Sequence, residues 1–283
     1  MEALSTSRLQ LHAAVYRRMV TQFANGRMLP ITVRTSVDAP ADSGLGSSSA
    51  LVVALVEAFR VLLHVPLGPY EVAHLAYEIE RIDLSLAGGK QDQYAADFGG
   101  INFIEFMAGD RVLVNPLCVP HAVLCELEAS LLTCFSGVSR SSAQIIDQQW
   151  MGMSQKKENT LESFHRLKAD AHEMKQALLL GDVTPIARVL ERSWKAKKKT
   201  ALGVSTVEIE TLHDVGLAAG EMAGKVSGAG GGFIMFMAQP ERRLEVISAL
   251  NNAGEQADGV HLTSHGAESW ICPDRSCPEV TAR

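Results

Sequence analysis

Residues 38–50 have the sequence DAPADSGLGSSSA, a loop of small residues between a strand-like segment and a helix-like one. From Ser43 through Val56 no side chain is acidic or basic. Glycine allows backbone N–H groups to turn towards a ligand and approach it closely. The start of a helix adds unpaired donors and a partial positive charge, a combination that favours a bound phosphate. The alternative is a tight turn in which a serine caps the helix.

The loop differs from two common phosphate-binding motifs. No lysine follows its second glycine, Gly46, as a Walker A loop would require. Ser49 stands where the dinucleotide-binding fingerprint has its third glycine. If the loop binds phosphate, it is therefore a phosphate loop of another kind.

A second glycine loop lies towards the C-terminus, where residues 225–233 have the sequence KVSGAGGGF. Four glycines in five residues are costly in backbone entropy. Such a loop is expected either to pack closely on another backbone or to face a ligand, and the alternative is a plain hairpin connection. The presence of two glycine loops in one chain favours the ligand-binding interpretation of both.

Acidic residues between the two loops could supply a metal ligand and a base. Glu80 is expected near the end of a helix, and Asp92 follows the glycine pair Gly88-Gly89. A carboxylate and a serine hydroxyl are hard oxygen ligands suited to Mg²⁺ beside phosphates. A second carboxylate could orient or deprotonate an attacking hydroxyl. For a lone glutamate, a surface ion pair is the alternative.

The composition excludes several classes of protein. The chain has 283 residues, 47% of them hydrophobic, and a net charge of −6, which indicates a globular protein of one or two domains and argues against nucleic-acid binding. No apolar run reaches the ~18 residues of a membrane helix, and the N-terminus has no secretory signal. The five cysteines lack CxxC spacing and indicate reduced thiols in a cytoplasmic protein. The nine histidines form no zinc-like pattern.

Hydrophobic periodicity predicts helices and strands without strict βαβ alternation, which favours an α+β fold. The composition changes near residues 116–120, so we predict an N-terminal domain over 1–120 and a C-terminal domain over 121–283. The predicted helices cover 7–24, 48–63, 69–84, most of 139–181, 183–198, 206–222 and 241–251. The predicted strands cover 31–37, 101–106, 129–135, a short segment ending at 226, 233–238 and 260–263.

Together these segments resemble the GHMP kinase superfamily of small-molecule kinases, whose phosphate loop has the form Pro-x-x-x-Gly-Leu-Gly-Ser-Ser-x-Ala. Pro40 through Ala50 match this form without a gap, and residues 225–232 match the family's third motif. Residues 89–96 and 99–104 are most similar to the subgroup that phosphorylates D-glycero-D-manno-heptose 7-phosphate. The family's first motif, an N-terminal strand with a glycine turn, has no match in the 43 residues before Gly44, so we expect a family member that lacks it.

The resemblance implies a two-domain fold and an activity. The first domain would resemble domain 2 of ribosomal protein S5, with an unpaired sheet edge, and the second would be a ferredoxin-like sheet that carries the second glycine loop. The implied activity is phosphorylation of a sugar phosphate with ATP and Mg²⁺, by a protein without nucleic-acid or membrane partners and with a homodimer as its expected assembly. The alternatives are a GHMP kinase of the fucose or galactose type and a non-catalytic binding protein of the same fold.

The resemblance also implies roles for individual residues. Glu80 would hold Mg²⁺ together with Ser48, and Asp92 would face the acceptor hydroxyl, with Lys90 as its tuning partner, as a phosphate contact or as a solvent-facing neighbour. The nucleotide-binding residues would be Gly44, Leu45, Gly46, Ser47, Ser48 and Ser49 in the first loop and Gly228, Ala229, Gly230 and Gly231 in the second.

Basic residues could meet the phosphate that such a substrate already carries. Arg140 lies among serines at a predicted helix start, so its guanidinium and the Ser139 and Ser141 hydroxyls offer several donors to a phosphate. The alternative is an ordinary helix cap with a solvated arginine. Lysines at 195 and 197–199 form a second basic cluster, interpreted as a solvated helix end because lysine favours helix C-termini.

Overall fold

The computed structural model describes residues 9–40, 43–137, 142–229 and 232–272, and it contains the mixture of helices and strands expected of an α+β fold. The helices in these ranges are α1 (Gln10–Phe23), α2 (Ser47–Leu62), α3 (Pro69–Tyr77), α4 (Gln91–Phe98), α5 (His121–Ser130), α6 (Ser142–Ser154), α7 (Glu158–Leu180), α8 (Val183–Lys198), α9 (Val207–Ala219) and α10 (Arg243–Asn252). The strands are β1 (Asn102–Phe106), β2 (Val112–Pro116), β3 (Leu131–Phe135), β4 (Glu221–Val226), β5 (Phe233–Ala238) and β6 (Gln256–Gly259).

In the first half of the chain the helices pack around α2. Residues 50–56 of this helix have the sequence ALVVALV, and a helix that is apolar on most sides is expected to lie in the core. The buried residues of this core come from α1, α2, α3 and the turn that follows α3: Val15, Met19, Val52, Val56, Phe59, Leu75 and Ile79. The packing fixes the N-terminus of α2, which is where the first glycine loop ends.

The helix α3 continues past Tyr77 as a π-helical turn over Glu78–Asp83. The helix predicted over 69–84 is therefore present, but its last turn is wider than an α-helical one. Such turns are rare and occur frequently at functional sites. Here the turn directs Glu80 into the interior, where its side chain is fully buried.

The second half of the chain forms a four-stranded antiparallel sheet in the order β4-β5-β3-β6. Its strands and helices follow one another in the βαββαβ arrangement of a ferredoxin-like sheet, as predicted. The central strands are the most apolar, since the directly paired Leu132 and Phe236 are both fully buried. Trp194 of α8 and Leu250 of α10 belong to the same core. The hairpin between β4 and β5 carries the second glycine loop.

After β6 the chain returns to the first half of the molecule. The Ser269 hydroxyl donates to a carboxylate oxygen of Glu57 on α2 at 2.7 Å. The backbone at Gly266 lies directly against the backbone of α4. A Cβ added to Gly266 would lie 1.8 Å from the carbonyl oxygen of Asp97. This return segment therefore holds the two halves together.

Residues 31–37 do not form the predicted strand. The segment is irregular, and its apolar side chains at Ile31, Val33 and Val37 are exposed. Alternating apolar and polar residues indicate that one side of an extended segment could be buried, but a strand also needs a neighbouring backbone for its hydrogen bonds. No strand of the described ranges pairs with this segment. In the small sheet, β1 and β2 have only each other as described neighbours, which leaves each strand with an open edge, as expected.

Several other boundaries differ from the predicted ones. The stretch 139–181 contains two helices, α6 and α7, and the last strand is β6 rather than 260–263. Sequence analysis missed the helices α4 and α5 and the strand β2, because short segments carry weak periodicity. The domain boundary near residue 120 stays a prediction.

No helix among the described residues has the length and apolar character needed to cross a membrane. The four cysteines in the described ranges, Cys118, Cys125, Cys134 and Cys272, are free thiols, as their spacing indicated.

We expect Gly266→Ala to destabilise the protein, because its methyl group would overlap a backbone carbonyl that cannot move aside as a side chain can. The expected loss is ~2 kcal/mol in the free energy of unfolding, typical of overpacking, measured by urea denaturation. Gly89→Ala is the matched control, since nothing lies within 4 Å of its Cβ position. Equal unfolding midpoints for the two variants would contradict the close packing of the return segment.

Candidate active site

The first glycine loop ends at the N-terminus of α2 in a conformation that needs glycine. Gly44 and Gly46 have φ angles of +75° and +73°, which other residues rarely adopt. Gly46 is the N-cap of α2, so no side chain at that position caps the helix, and the first turn carries no acidic residue. The alternative of a serine-capped turn is therefore wrong. An uncapped helix start preceded by glycines is suited to bind phosphate.

Asp92 lies directly against this loop. It is in the first turn of α4, and a Cβ added to Gly46 would lie 3.2 Å from Asp92 Cγ. Burial raises the pKa of Asp92, while the Arg81 guanidinium opposes this shift and the charge of Glu80 adds to it. A carboxylate with a raised pKa is a better proton acceptor than an aspartate with the ordinary pKa.

A cluster of hydrogen-bonded side chains lies behind the loop, and three of its members, Ser49, Glu80 and Gln93, are buried. The Ser48 hydroxyl donates to Glu80 Oε1 at 3.0 Å. Gln93 Nε2 donates to Glu80 Oε2 at 2.5 Å and to Ser49 Oγ at 3.0 Å. The Arg81 guanidinium lies 3.9 Å from the Glu80 carboxylate and offsets its charge. The cluster thus connects α2, the π-helical turn and α4.

Gln93 and Arg81 are site residues that sequence analysis missed. Gln93 is fully buried, and Arg81 also donates to the carbonyls of Ala87 and Gly89 at 3.1 and 3.2 Å, which shapes the segment before α4. Each directly follows a residue that was identified, but successive residues on a helix point in different directions. The one feature of the sequence that could have identified Arg81 and Gln93 as site residues is their position next to Glu80 and Asp92.

The oxygen atoms of Ser48 and Glu80 fit a magnesium ion. Mg²⁺ in kinases is held by one or two protein oxygens together with substrate phosphates, and Ser48 Oγ and Glu80 Oε1 converge beside the loop. The hydroxyl of Ser43, in the same loop, is buried and makes no hydrogen bond within the described structure. The described residues contain no group of three or more His, Cys, Asp or Glu side chains that could hold a metal.

The second glycine loop packs on the first. Gly228 has a φ of +59°, and a Cβ added to it would lie 2.6 Å from the Gly44 carbonyl oxygen. Of the two outcomes expected for this loop, close packing on another backbone is found at Gly228, and that backbone is the other glycine loop. Ala229 packs against the core of the sheet. Gly230 and Gly231 lie outside the described residues.

Lys90 makes its contacts away from Asp92. The Lys90 ammonium forms an ion pair with Asp110 in the β1–β2 turn and lies 4.7 Å from the centre of the Tyr77 ring. Its catalytic role stays a prediction. The predicted phosphate-binding residues, Ser139, Arg140 and Ser141, lie outside the described ranges.

Two family models match the chain. The GHMP kinases N terminal domain matches residues 10–100, and the GHMP kinases C terminal domain matches residues 174–256. The first range contains the loop at Gly44–Ser49 together with Glu80 and Asp92, and the second contains the loop that begins at Gly228.

Individual relatives cover most of the chain. The D-glycero-alpha-D-manno-heptose 7-phosphate kinase of Campylobacter jejuni is 40% identical over 264 residues, which are 93% of this chain and 77% of the relative. The crystal structure of a D-glycero-D-manno-heptose 1-phosphate kinase from Bacteroides thetaiotaomicron superposes with a TM-score of 0.74 at 41% identity, over 93% of this chain and 75% of that one. A bifunctional fucokinase/GDP-fucose pyrophosphorylase of Arabidopsis thaliana is 25% identical over 80% of this chain but 22% of its own length.

We expect Gly46→Ala to weaken binding of Mg·ATP by about tenfold or more, because its methyl group strains the left-handed backbone and presses on Asp92. Isothermal titration calorimetry measures the affinity. Gly26→Ala is the matched control, since Gly26 has nearly the same φ, +74°, with nothing within 4 Å of its Cβ position. Both variants should lose about 1 kcal/mol of stability, but an equal loss of ATP affinity would show that the loop is not the phosphate site.

Proposed function

The chain belongs to the GHMP kinase family, and we propose on that basis that it transfers the terminal phosphoryl group of ATP to a hydroxyl of a heptose phosphate. The proposed acceptor is D-glycero-D-manno-heptose 7-phosphate, which would become the 1,7-bisphosphate. One observation supports this proposal above the others, namely that Asp92 lies against the glycine loop at Gly46, with the Ser48–Glu80 pair behind it.

The residues around the loop are arranged to position phosphates. The N-terminus of α2 and the left-handed glycines would receive the β- and γ-phosphates of ATP, and Gly228 would cover them from the second loop. Ser48 and Glu80 would hold Mg²⁺, which neutralises charge on the phosphate oxygens when it is bound. Glu80 keeps its orientation because Gln93 and Ser48 each donate to one of its oxygens. Phosphoryl transfer depends mainly on positioning and charge neutralisation of this kind.

Asp92 is proposed to accept the proton of the attacking hydroxyl. The hydroxyl oxygen forms a bond to the γ-phosphorus, the bond from that phosphorus to the β–γ bridging oxygen breaks, and ADP leaves. The hydroxyl proton moves to a carboxylate oxygen of Asp92. Glu80 is a poorer candidate for this step, because both of its oxygens accept hydrogen bonds and it would be committed to the metal.

The names of the relatives favour a heptose phosphate over a free sugar. The two relatives at 40% and 41% identity are named as heptose phosphate kinases, whereas the fucokinase is 25% identical. The two heptose names differ in the position of the phosphate, so both phosphates belong in the assay. The proposal also includes a cytoplasmic location and a homodimeric state, both of which come from the sequence analysis.

An assay with purified chain tests the acceptor. ADP release is measured with heptose 7-phosphate, heptose 1-phosphate, fucose and galactose, and phosphorus NMR identifies the product. We expect kcat/KM for the 7-phosphate to exceed that for the free sugars by ~100-fold or more, since polar recognition of a substrate group discriminates strongly. A preference for fucose or galactose would favour the other sugar-kinase interpretation. ATP binding without turnover on any acceptor would favour the non-catalytic one.

We expect Asp92→Asn to lower kcat by about 100-fold or more while ATP still binds, the usual range for a lost proton acceptor. In the parent protein, activity should fall as the pH falls through the raised pKa of Asp92, because the protonated carboxyl cannot accept a proton. That acid limb should be absent from the residual activity of Asp92→Asn. Rapid-quench kinetics across pH measures both effects.

Two further variants serve as controls for Asp92. Asp214→Asn changes an exposed aspartate on α9 and should leave kcat within a few-fold of the parent. Glu80→Gln should instead raise the magnesium concentration needed for half-maximal activity. If Asp92→Asn turns over within a few-fold of the parent, Asp92 is not the base, and positioning by the metal and the loops would account for the rate.

A further inference from the structure

Lys197 departs from the solvated lysine cluster predicted at the end of α8. Lys195 on the same helix is 66% exposed and pairs with Glu191 at 3.0 Å, as a solvated helix end should. The ammonium of Lys197 instead points inward, donating to the carbonyl of Val226 at 2.9 Å and to that of Gly228. The prediction of a solvated helix end is therefore wrong for Lys197, whose ammonium binds carbonyls at the start of the second glycine loop.

The surroundings of Lys197 are unusual for a cation. Its hydrogen bonds go to backbone carbonyls, and no ion pair to a carboxylate is found for it in the described structure. Its charged neighbour is Lys225 of β4, which itself donates to the Ser193 hydroxyl at 2.7 Å, and Asp170 of α7 acts on Lys225. Burial, with a smaller contribution from the charge of Lys225, lowers the pKa of Lys197 to about 7. A desolvated ammonium without a counter-charge lowers the stability of the fold. A function for the Lys197 ammonium therefore explains its position better than an incidental placement.

In the described part of the loop that Lys197 contacts, other supports act near its ends: Ala229 packs against the sheet core, and the Ser136 amide donates to the Gly232 carbonyl at 2.7 Å. Glycines have no side chains with which to anchor a loop and retain much conformational freedom. Gly228 must nevertheless remain in a left-handed conformation, with its backbone against the Gly44 carbonyl. Ser227 is held by a backbone hydrogen bond from its amide to the Phe233 carbonyl at 2.9 Å. Lys197 adds a charge-assisted pair of bonds at the point where the loop leaves β4.

We propose that Lys197 is a positioning residue that clamps the second glycine loop onto the first and so keeps the ATP site closed. The part of this inference that concerns ATP rests on the proposed function, whereas the clamp itself does not. Charge-assisted hydrogen bonds are stronger than neutral ones. The clamp is therefore strongest when Lys197 is protonated, and it weakens as the pH rises through the pKa of that lysine.

Hydrogen–deuterium exchange tests the clamp directly, without any ligand. Lys197→Met keeps the length and apolar stem of the side chain but removes the ammonium, and Lys195→Met makes the same change on the exposed face of α8. Exchange in peptides covering residues 226–229 should become about tenfold faster in Lys197→Met, as expected for loss of a hydrogen bond to a charged group. It should be unchanged in Lys195→Met. Equal exchange in the two variants would overturn the clamp.

Calorimetry with Mg·ATP tests the consequence for the site. Lys197→Met should raise the Kd for Mg·ATP by about tenfold, while Lys197→Arg, which stays charged, should restore most of the affinity. The affinity of the parent should fall between pH 6 and 8, and Lys197→Arg should lack this fall. An identical pH profile for the arginine variant would overturn the role of the Lys197 charge, even if the methionine variant proved unstable. If the parent does not bind ATP, the proposed function fails, and the exchange result still decides on the clamp.

Discussion

The close contact between the backbones of Gly44 and Gly228 is the constraint on which the rest of the site depends. No side chain larger than hydrogen fits at Gly228, because a Cβ there would lie 2.6 Å from the Gly44 carbonyl. The contact joins the loop before α2 to the hairpin between β4 and β5. It therefore requires both halves of the molecule to be folded and docked before either loop is in place. The return segment after β6, with its own backbone contact at Gly266, supplies that docking.

The buried charge of Glu80 imposes the second constraint. A fully buried carboxylate is destabilising by several kcal/mol unless it is paired and hydrogen-bonded. Ser48, Gln93 and Arg81 meet that requirement from three successive elements, α2, the π-helical turn and α4. An apolar residue at the same place would pack more easily, so the carboxylate is better explained by the chemistry proposed for it than by stability. Asp92 is more exposed than Glu80, but desolvation by the protein around it raises its pKa and makes it a better proton acceptor.

Most of the long helices and several short strands, among them β1, β3 and β5, could be predicted from the sequence. The helix predicted over 183–198 is α8, and the helices predicted from 48 and 69 begin within one residue of those positions. Their apolar stripes extend over several turns, so the helical period is unambiguous. The prediction of a strand at 31–37 was wrong. A strand needs a partner strand for its hydrogen bonds, and the residues of a segment do not show whether a partner is present. The strand β2 and the short helices α4 and α5 were missed because the period of such segments is weak, although β1 and β3 are as short as β2.

The sequence by itself determined which chemical groups the protein has and where its backbone must be glycine. Both loops, Glu80 and Asp92 were singled out from residue type and spacing, because glycine, serine and carboxylate have properties that hold in any fold. The pairing of Ser48 with Glu80 and the role of Asp92 came from the resemblance to the GHMP kinase family. Only the tertiary structure decided that the loops meet, that Gln93 and Arg81 enter the site, and that Lys197 turns inward while Lys195 remains in solvent. The physical reason is that these outcomes are contacts between residues far apart in the chain. The burial and charge at each position are set by neighbours that only the folded packing brings together.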